Sequence, residues 1–289
     1  MIRIFVDSTC DLPEGFFERH NIIMIPLKML LNGKEFIDKV TIKVSEVYDQ
    51  MRNGAIPKTS LPNLAEAYDV VYKEAAEGKD CIFLSISDKL SGTYQGITRI
   101  FKQVGSIFPD RKMTVIDTKG GSVATGLMAW QSARLASAGR SYEEIVKNVH
   151  ELVEEVELIF TISDLNWLVK GGRLSKVEGF LGNILHIKPI LQVRNGLIEP
   201  YLKVRSKKKA LRAIVDIVEE RIKLFPEQTI GIAHTDDPET ANEMEYLLKE
   251  RLGEIKSLTS SIGSVIGSHL GIGGVGVFFF RRRPALYLD

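Results

Sequence analysis

Cys81-Ile82-Phe83-Leu84-Ser85 is a short apolar run, and the hydroxyl-rich stretch Ser91-Gly92-Thr93-Tyr94 follows it closely. A run of this length bounded by turn residues is typical of a buried strand. In an open α/β sheet, ligands bind outside the carboxyl ends of the strands, where loops meet helix N-termini. Ser, Thr and Gly at such a position favour a polar head group, because they combine uncharged donors with close backbone approach.

The same pattern recurs through the first half of the chain. Strands are predicted at residues 2–6, 22–27, 81–85 and 113–116, with helices between and after them. Hydroxyl-rich loops follow the first strand at Asp7-Ser8-Thr9 and the last at residues 117–122. Strands that are separated by helices pair in parallel through right-handed crossovers. The first half therefore predicts a mostly parallel sheet with flanking helices.

The second half has a different order of elements. Asn195-Gly196 lies between apolar runs at residues 187–193 and 197–204, which is the strongest short hairpin signal. Around this hairpin, the predicted strands are residues 157–162, 229–233, 255–260 and 275–280, and the predicted helices are residues 207–224 and 239–252. This mixture of a hairpin and alternating elements predicts a mixed sheet with helices.

The fold class is accordingly α/β, in two domains. We place the amino-terminal domain at residues 1–155 and the carboxyl-terminal domain at residues 156–289, and we expect the ligand site between or inside them. A chain of 289 residues with 44% hydrophobic content is long enough for two cores.

Composition excludes several classes of protein. The 38 basic and 37 acidic residues leave a formal charge of +1, whereas nucleic-acid binding depends on clustered excess Lys and Arg. No apolar stretch approaches the roughly 18 residues of a membrane span, and the first residues do not resemble a secretory signal. We therefore expect no nucleic-acid partner and no integral membrane span, only a transient contact with a membrane surface.

Cysteine and histidine usage bears on the compartment and on metals. Cys10 and Cys81 form no C-x-x-C pair and no disulfide framework, which favours the reducing cytoplasm. The histidines show no metal-ligand spacing, so we expect neither a metal site nor a cofactor; they are His20, His150, His186, His234 and His269.

Two motifs suggest other functions. Residues 271–276 match G-x-G-x-x-G, but they precede an apolar strand, whereas a dinucleotide site follows a strand and opens a helix. Ser122 lies in a near match to the nucleophile elbow, with Asp236 and His269 later in the chain, although Ala124 replaces the final glycine. A hydrolase using Ser122 or Ser91 with His269, or a nucleotide- or sugar-phosphate-binding protein, remains an alternative.

Seven motifs, taken together and in order, resemble the DegV family of bacterial fatty-acid-binding proteins over nearly the whole chain. They are Val6-Asp7-Ser8-Thr9-Cys10-Asp11-Leu12-Pro13, Thr59-Ser60-Leu61-Pro62, Leu90-Ser91-Gly92-Thr93-Tyr94, Asp117-Thr118-Lys119-Gly120-Gly121, Lys170-Gly171-Gly172-Arg173, Lys188-Pro189-Ile190-Leu191 and Ile266-Gly267-Ser268-His269-Leu270-Gly271.

The resemblance implies a two-domain DegV-like fold and a carrier protein of phospholipid metabolism without turnover of its own. It implies that Thr59 and Ser91 hydrogen-bond the carboxylate of one buried C16–C18 fatty acid. Arg205 and His269 would form a supporting polar network, since Arg205 ends a predicted strand from which its side chain can point into the cleft. Arg173 would dock the partner, a fatty acid kinase that phosphorylates the bound acid to acyl phosphate. The chain departs from residues common in the family at Leu61, Asn63 and Leu270. These differences bear on the mouth of the pocket and leave the residues expected to bind the carboxylate unchanged.

The energetics agree with such a ligand. Removing a C16 tail from water is worth about 12 kcal/mol before the costs of binding. A hydrogen bond to the carboxylate adds about 1.5–3 kcal/mol. The tail therefore supplies most of the affinity, and the hydroxyl groups orient the head group.

Overall fold

The fold is built from alternating strands and helices, as the apolar runs predict. A computed structural model describes residues 1–174 and 187–289. In the described residues the strands are β1 (Ile2–Asp7), β2 (Ile22–Ile25), β3 (Lys28–Leu31), β4 (Lys34–Ile37), β5 (Lys58–Ser60), β6 (Asp80–Ser85), β7 (Met113–Asp117), β8 (Val156–Thr161), β9 (Lys188–Arg194), β10 (Leu197–Val204), β11 (Thr229–His234), β12 (Lys256–Ser261) and β13 (Val275–Phe280).

Helices follow most of these strands and cover the sheets. Those of the described residues are α1 (Phe16–Arg19), α2 (Val44–Arg52), α3 (Leu64–Ala76), α4 (Thr93–Ile107), α5 (Val123–Ser137), α6 (Tyr142–Glu155), α7 (Asn166–Gly171), α8 (Lys207–Arg221), α9 (Pro238–Leu252) and α10 (Ser264–Leu270).

The first half of the chain forms the predicted parallel sheet. Its strand order is β2-β1-β6-β7, and each neighbouring pair is parallel. Phe5 and Phe83 pack on one face against Phe101 of α4, while Val6 and Leu84 belong to the core cluster that includes Leu127 of α5. The carboxyl ends of β1, β6 and β7 consequently lie at one edge of the sheet, where the hydroxyl-rich loops begin.

The second half forms the predicted mixed sheet. Its order is β10-β9-β8-β13-β11-β12, with a parallel β11–β12 pair and antiparallel pairs elsewhere. Asn195 and Gly196 connect β9 and β10 with φ angles of 51° and 81°, the left-handed values that a two-residue hairpin of this kind requires. The predicted hairpin and mixed sheet are confirmed, with strand ends shifted by one or two residues.

A small antiparallel sheet, in the order β4-β3-β5, was not predicted. The turn Asn32-Gly33 joins β3 to β4 with φ angles of 50° and 79°, so it is the same hairpin signal as residues 195–196. The predicted strand at residues 22–27 therefore ends early, at Ile25. The stretch that contains Thr59, expected to be a loop, is the edge strand β5 paired with β3.

The two large sheets use separate parts of the chain. α6 ends at Glu155 and β8 begins at Val156, at the position where the sequence predicts a domain boundary. One core cluster nevertheless includes Leu84 of the parallel sheet together with Leu158 and Phe278 of the mixed sheet. Among the described helices, none has the length and apolar character needed to cross a membrane.

Candidate functional site

A cavity of about 310 Å³ lies between the carboxyl edge of the parallel sheet and one face of the mixed sheet. Thr9, Ile86 and Ser122 line it from the loops after β1, β6 and β7. The mixed sheet contributes alternate residues of its strands, because side chains at every second position point to the same face. The alternating residues are Leu158 and Phe160 of β8, Val193 of β9, Ile198 of β10, and Gly276 and Phe278 of β13, and the strand ends add Thr161 and Val275.

One face of α10 borders the cavity along the whole helix. The lining residues Val265, Ile266, His269 and Leu270 follow the spacing of residues on one side of a helix, and Ile262, just before the helix, continues this side. Four of these five side chains are apolar, and His269 lies at the carboxyl end. The cavity therefore has an apolar length and a polar end.

Thr59 and His269 meet at this polar end. The hydroxyl of Thr59 lies 2.9 Å from Nε2 of His269, and both residues are partly buried. Burial, and then the positive charge of Arg173, lower the pKa of His269 from its ordinary value of 6.5 to about 4. The imidazole is consequently neutral near pH 7, with one N–H donor and one acceptor nitrogen.

The motif Lys170-Gly171-Gly172-Arg173 positions both His269 and Arg173. A β-carbon at Gly171 would collide with Nδ1 of His269, so the glycine lets α7 pack directly against the imidazole. Gly172 is the C-cap of α7, with a left-handed φ of 66° that is typical of a glycine at a helix end. The chain then turns Arg173 into the cavity lining, where its Nε donates to the carbonyl of Leu90 at 3.3 Å.

Ser91 reaches the same end from the loop after β6. Its hydroxyl lies 2.9 Å from the hydroxyl of Thr93 and accepts a hydrogen bond from the N–H of Thr93 at 3.3 Å. Ser91 is thus at the amino terminus of the 15-residue helix α4, where the helix dipole favours an anion. With Leu90 bonded to Arg173, the structure brings Thr59, Ser91, Arg173 and His269 to one cavity.

The two arginines of the predicted site lie in different surroundings. Arg205 is exposed and is not among the described residues that line the cavity, so its place in a polar network with His269 stays a prediction. β10 ends at Val204, and Arg205 lies in the short connection to Ser206, the N-cap of α8. Arg173, proposed from the resemblance to dock the partner, is partly exposed and is the one arginine among the described residues that lines the cavity.

The residues of the suggested hydrolase have other partners. Ser122 donates to Oδ2 of Asp11 at 2.8 Å, Asp236 is ion-paired with Arg52, and His269 contacts Thr59. Ser122 is the residue before α5, and its φ of 54° and ψ of −137° are unusual for a residue with a side chain. The contacts of these residues do not link serine, histidine and aspartate in series.

The glycine motif at residues 271–276 leads from α10 into β13, so it does not have the strand-to-helix context of a dinucleotide site. Within residues 1–174 and 187–289, no group of three His, Cys, Asp or Glu side chains is arranged to hold a metal ion. His186 lies outside the described residues. Cys10 and Cys81 are buried free thiols whose pKa values are raised, mainly by burial.

Sequence and structural comparisons agree on the relatives of this chain. A DegV domain-containing protein of Caldanaerobacter subterraneus subsp. tengcongensis is 34% identical over 282 residues, which cover 97% of this chain and 99% of the relative. A DegV family protein of Thermus thermophilus, whose structure is described as showing fatty acid binding, matches with a TM-score of 0.87 and 30% identity over 96% of this chain and 99% of that chain.

A stearic acid-binding protein of Eubacterium ventriosum has a TM-score of 0.88 and 26% identity, covering 96% of this chain and 97% of that chain. The family model described as "Uncharacterised protein, DegV family COG1307" matches residues 1–282. The match extends through both sheets and all four residues at the polar end of the cavity. The chain therefore belongs to the DegV family.

Proposed function

We propose that this protein binds one long-chain fatty acid, of the C16–C18 class, in the cavity between its two large sheets. The carboxylate lies at the polar end beside Thr59, Ser91, Arg173 and His269, and the tail extends along the apolar face of α10. The observation that carries this proposal is the arrangement of the lining, with these polar groups at one end and apolar side chains along the rest of α10. Fatty-acid-binding proteins among the structural relatives support it.

The chemistry of the polar end suits a carboxylate. Arg173 supplies a permanent positive charge, and the amino terminus of α4 adds a favourable dipole. Hydroxyl and imidazole groups can donate further hydrogen bonds, which leaves the buried anion paired. Because His269 is neutral near pH 7, the site balances one ligand charge mainly with one arginine.

We further propose that the protein is a cytoplasmic carrier, which presents the bound acid to a fatty acid kinase and has no turnover of its own. Arg173 is the proposed contact with the kinase, because it is partly exposed and also lines the cavity at the polar end. The two free thiols are typical of a protein from a reducing compartment. No cofactor is part of this proposal.

Native mass spectrometry of freshly purified protein tests the binding proposal. We expect a retained mass equal to one C16 or C18 acid, which disappears after delipidation and returns on incubation with stearic acid. Retention of a phosphorylated ligand, or failure of delipidated protein to take up stearic or palmitic acid, would contradict the proposal.

The carrier role needs a separate assay. A purified fatty acid kinase with ATP should form acyl phosphate from the bound acid only when this protein is present. Acyl phosphate formation at the same rate without the protein would remove the carrier role while leaving fatty-acid binding intact.

A further inference from the structure

Two hydroxyl groups lie in the cavity wall away from the polar end. They belong to Thr9 and Ser122, which are buried and neighbouring, since the N–H of Ser122 donates to the carbonyl of Thr9 at 2.9 Å. The polar end does not use either of them. Their place along the cavity and their hydrogen bonds indicate what they can recognise.

The position of Ser122 follows from α10. Asp11 accepts hydrogen bonds from both Ser122 and the N–H of Gly263, so Ser122 lies near the amino-terminal end of this helix. His269, at the polar end, is six residues further along, which corresponds to about 9 Å of helix axis. A tail that extends along α10 from His269 passes Ser122 near its middle, not at its terminal methyl group.

The hydroxyl proton of Ser122 is used in a hydrogen bond to Asp11. Oδ1 of Asp11 accepts from Nζ of Lys39 and from the N–H of Gly263, both at 2.9 Å, and Oδ2 accepts from Ser122 at 2.8 Å. The side chain of Asp11 is 0% exposed and ion-paired with Lys39, so it is a carboxylate with no proton to give. Ser122 must therefore be the donor, and only its lone pairs can face the cavity.

Thr9 repeats this arrangement, because its hydroxyl donates to the buried carboxylate of Asp7. The backbone also holds Ser122 in place, with a left-handed φ of 54° that a residue with a side chain keeps only where the surroundings enforce it. Ser122 and Thr9 thus place hydroxyl oxygens among the apolar residues that line this part of the cavity.

We propose that Ser122 is a specificity-determining residue that accepts a hydrogen bond from a hydroxyl group in the middle of the acyl chain, so that the cavity takes mid-chain hydroxy fatty acids. This inference rests on the proposed function. A hydroxyl buried without a partner is costly, and an apolar wall would reject it. A carbon–carbon double bond offers no proton to the lone pairs of Ser122, so unsaturation alone is not what this contact recognises.

The test measures the affinity of delipidated protein for stearic acid and for stearic acids that carry a hydroxyl at carbon 8, 9 or 10. In the wild type we expect at least one mid-chain hydroxy acid to bind within a few-fold of stearic acid. In Ser122→Ala the ratio of hydroxystearic to stearic affinity should fall by roughly tenfold, because the ligand hydroxyl loses its acceptor. An acid with a terminal hydroxyl should show no such change in ratio.

Ser122→Gly is the second variant, since glycine adopts the positive φ freely and guards against misfolding of the alanine protein. Ser106→Ala, which removes an exposed hydroxyl on α4, is the matched control. If both Ser122 variants bind stearic acid and keep the wild-type ratio of hydroxystearic to stearic affinity, this inference is wrong and the proposed function is unaffected. No stearic acid bound by the wild type would instead overturn the proposed function, and this inference with it.

Discussion

The polar end and the wall of the cavity both use hydroxyl side chains, yet these groups have opposite hydrogen-bonding capacity. At the polar end, Thr59 faces a neutral imidazole with which it can exchange the donor role. In the wall, Ser122 and Thr9 donate to buried aspartates, and Ser122, whose partner Asp11 is ion-paired with Lys39, can only accept from a ligand. The protein group that is hydrogen-bonded to a hydroxyl thus decides whether that hydroxyl can donate to a ligand. A ligand carboxylate needs hydrogen-bond donors, so it fits the polar end of the cavity and not the wall.

The largest effect should come from removing the hydroxyls of the polar end. Thr59→Val combined with Ser91→Ala should weaken stearic acid binding by about 100-fold, since each lost bond to a charged group is worth about 1.5–3 kcal/mol. Thr9→Val combined with Ser122→Ala should cost much less, because stearic acid makes no hydrogen bond to the wall. Titration calorimetry on delipidated proteins measures both, and equal losses would remove the contrast between the two regions.

Ser91 also accepts a bond from the N–H of Thr93, so its replacement affects the start of α4. Thermal unfolding of each variant without ligand separates this effect from binding. A loss of affinity that merely followed a collapse in melting temperature would identify Ser91 as a structural cap.

The second largest effect on affinity should come from removing the positive charge at the polar end. Arg173→Gln keeps much of the side-chain length and removes the positive charge, and we expect a loss of stearic acid affinity of about tenfold. Raising the salt concentration should weaken binding in the wild type more than in the variant, because screening acts on the lost charge pair. Equal salt dependence in the two proteins would show that Arg173 does not pair with the ligand carboxylate.

Gly171→Ala should reduce affinity several-fold, because the added β-carbon collides with the imidazole of His269 and moves it from Thr59. Gly172→Ala is the matched control: its φ of 66° makes alanine unfavourable, yet nothing lies within 4 Å of the added atom. We expect the control to lower the melting temperature and to leave affinity near that of the wild type. Equal affinities for both variants would contradict the positioning role of Gly171.

The smallest effect concerns pH. The pKa of His269 is about 4 in the folded protein against an ordinary value of 6.5, so the unfolded chain takes up the proton first as the pH falls. The stabilising contribution of the neutral ring is complete above pH 6.5 and is lost progressively toward pH 4.

The melting temperature of the ligand-free wild type should therefore fall by a few degrees relative to His269→Gln over this range. Bound stearate should reduce the difference, because its negative charge favours the protonated ring. A pH profile identical for the two proteins would show that His269 does not titrate in this way.

The apolar periodicity predicted both large sheets because each strand is a short run bounded by turn residues. Asn195-Gly196 predicted a hairpin, and Asn32-Gly33 carries the same signal for β3 and β4, which a search of every Asn-Gly pair would have found. Asn53-Gly54 is a third such pair, but it ends α2, so the dipeptide alone does not distinguish a hairpin from a helix end.

The candidate site was less accessible to sequence reasoning. Arg173 and Arg205 both end an element, and nothing local indicates that the first lines the cavity while the second is exposed. The proximity of Gly171 to His269, and of Asp11 to Ser122, arises only when distant segments pack together. Family resemblance supplied Thr59, Ser91 and His269, whereas the acceptor character of Ser122 depends on a contact that one sequence does not reveal.

The hydrogen bonds of Asp11 restrict how the cavity can open. Its single carboxylate ties together the loop after β1, the start of α5 and the start of α10, through Ser122 and Gly263. These bonds act as a fixed spacer between two walls of the cavity. Moving these two walls apart would break these bonds, so the cavity cannot widen here while Asp11 keeps both partners.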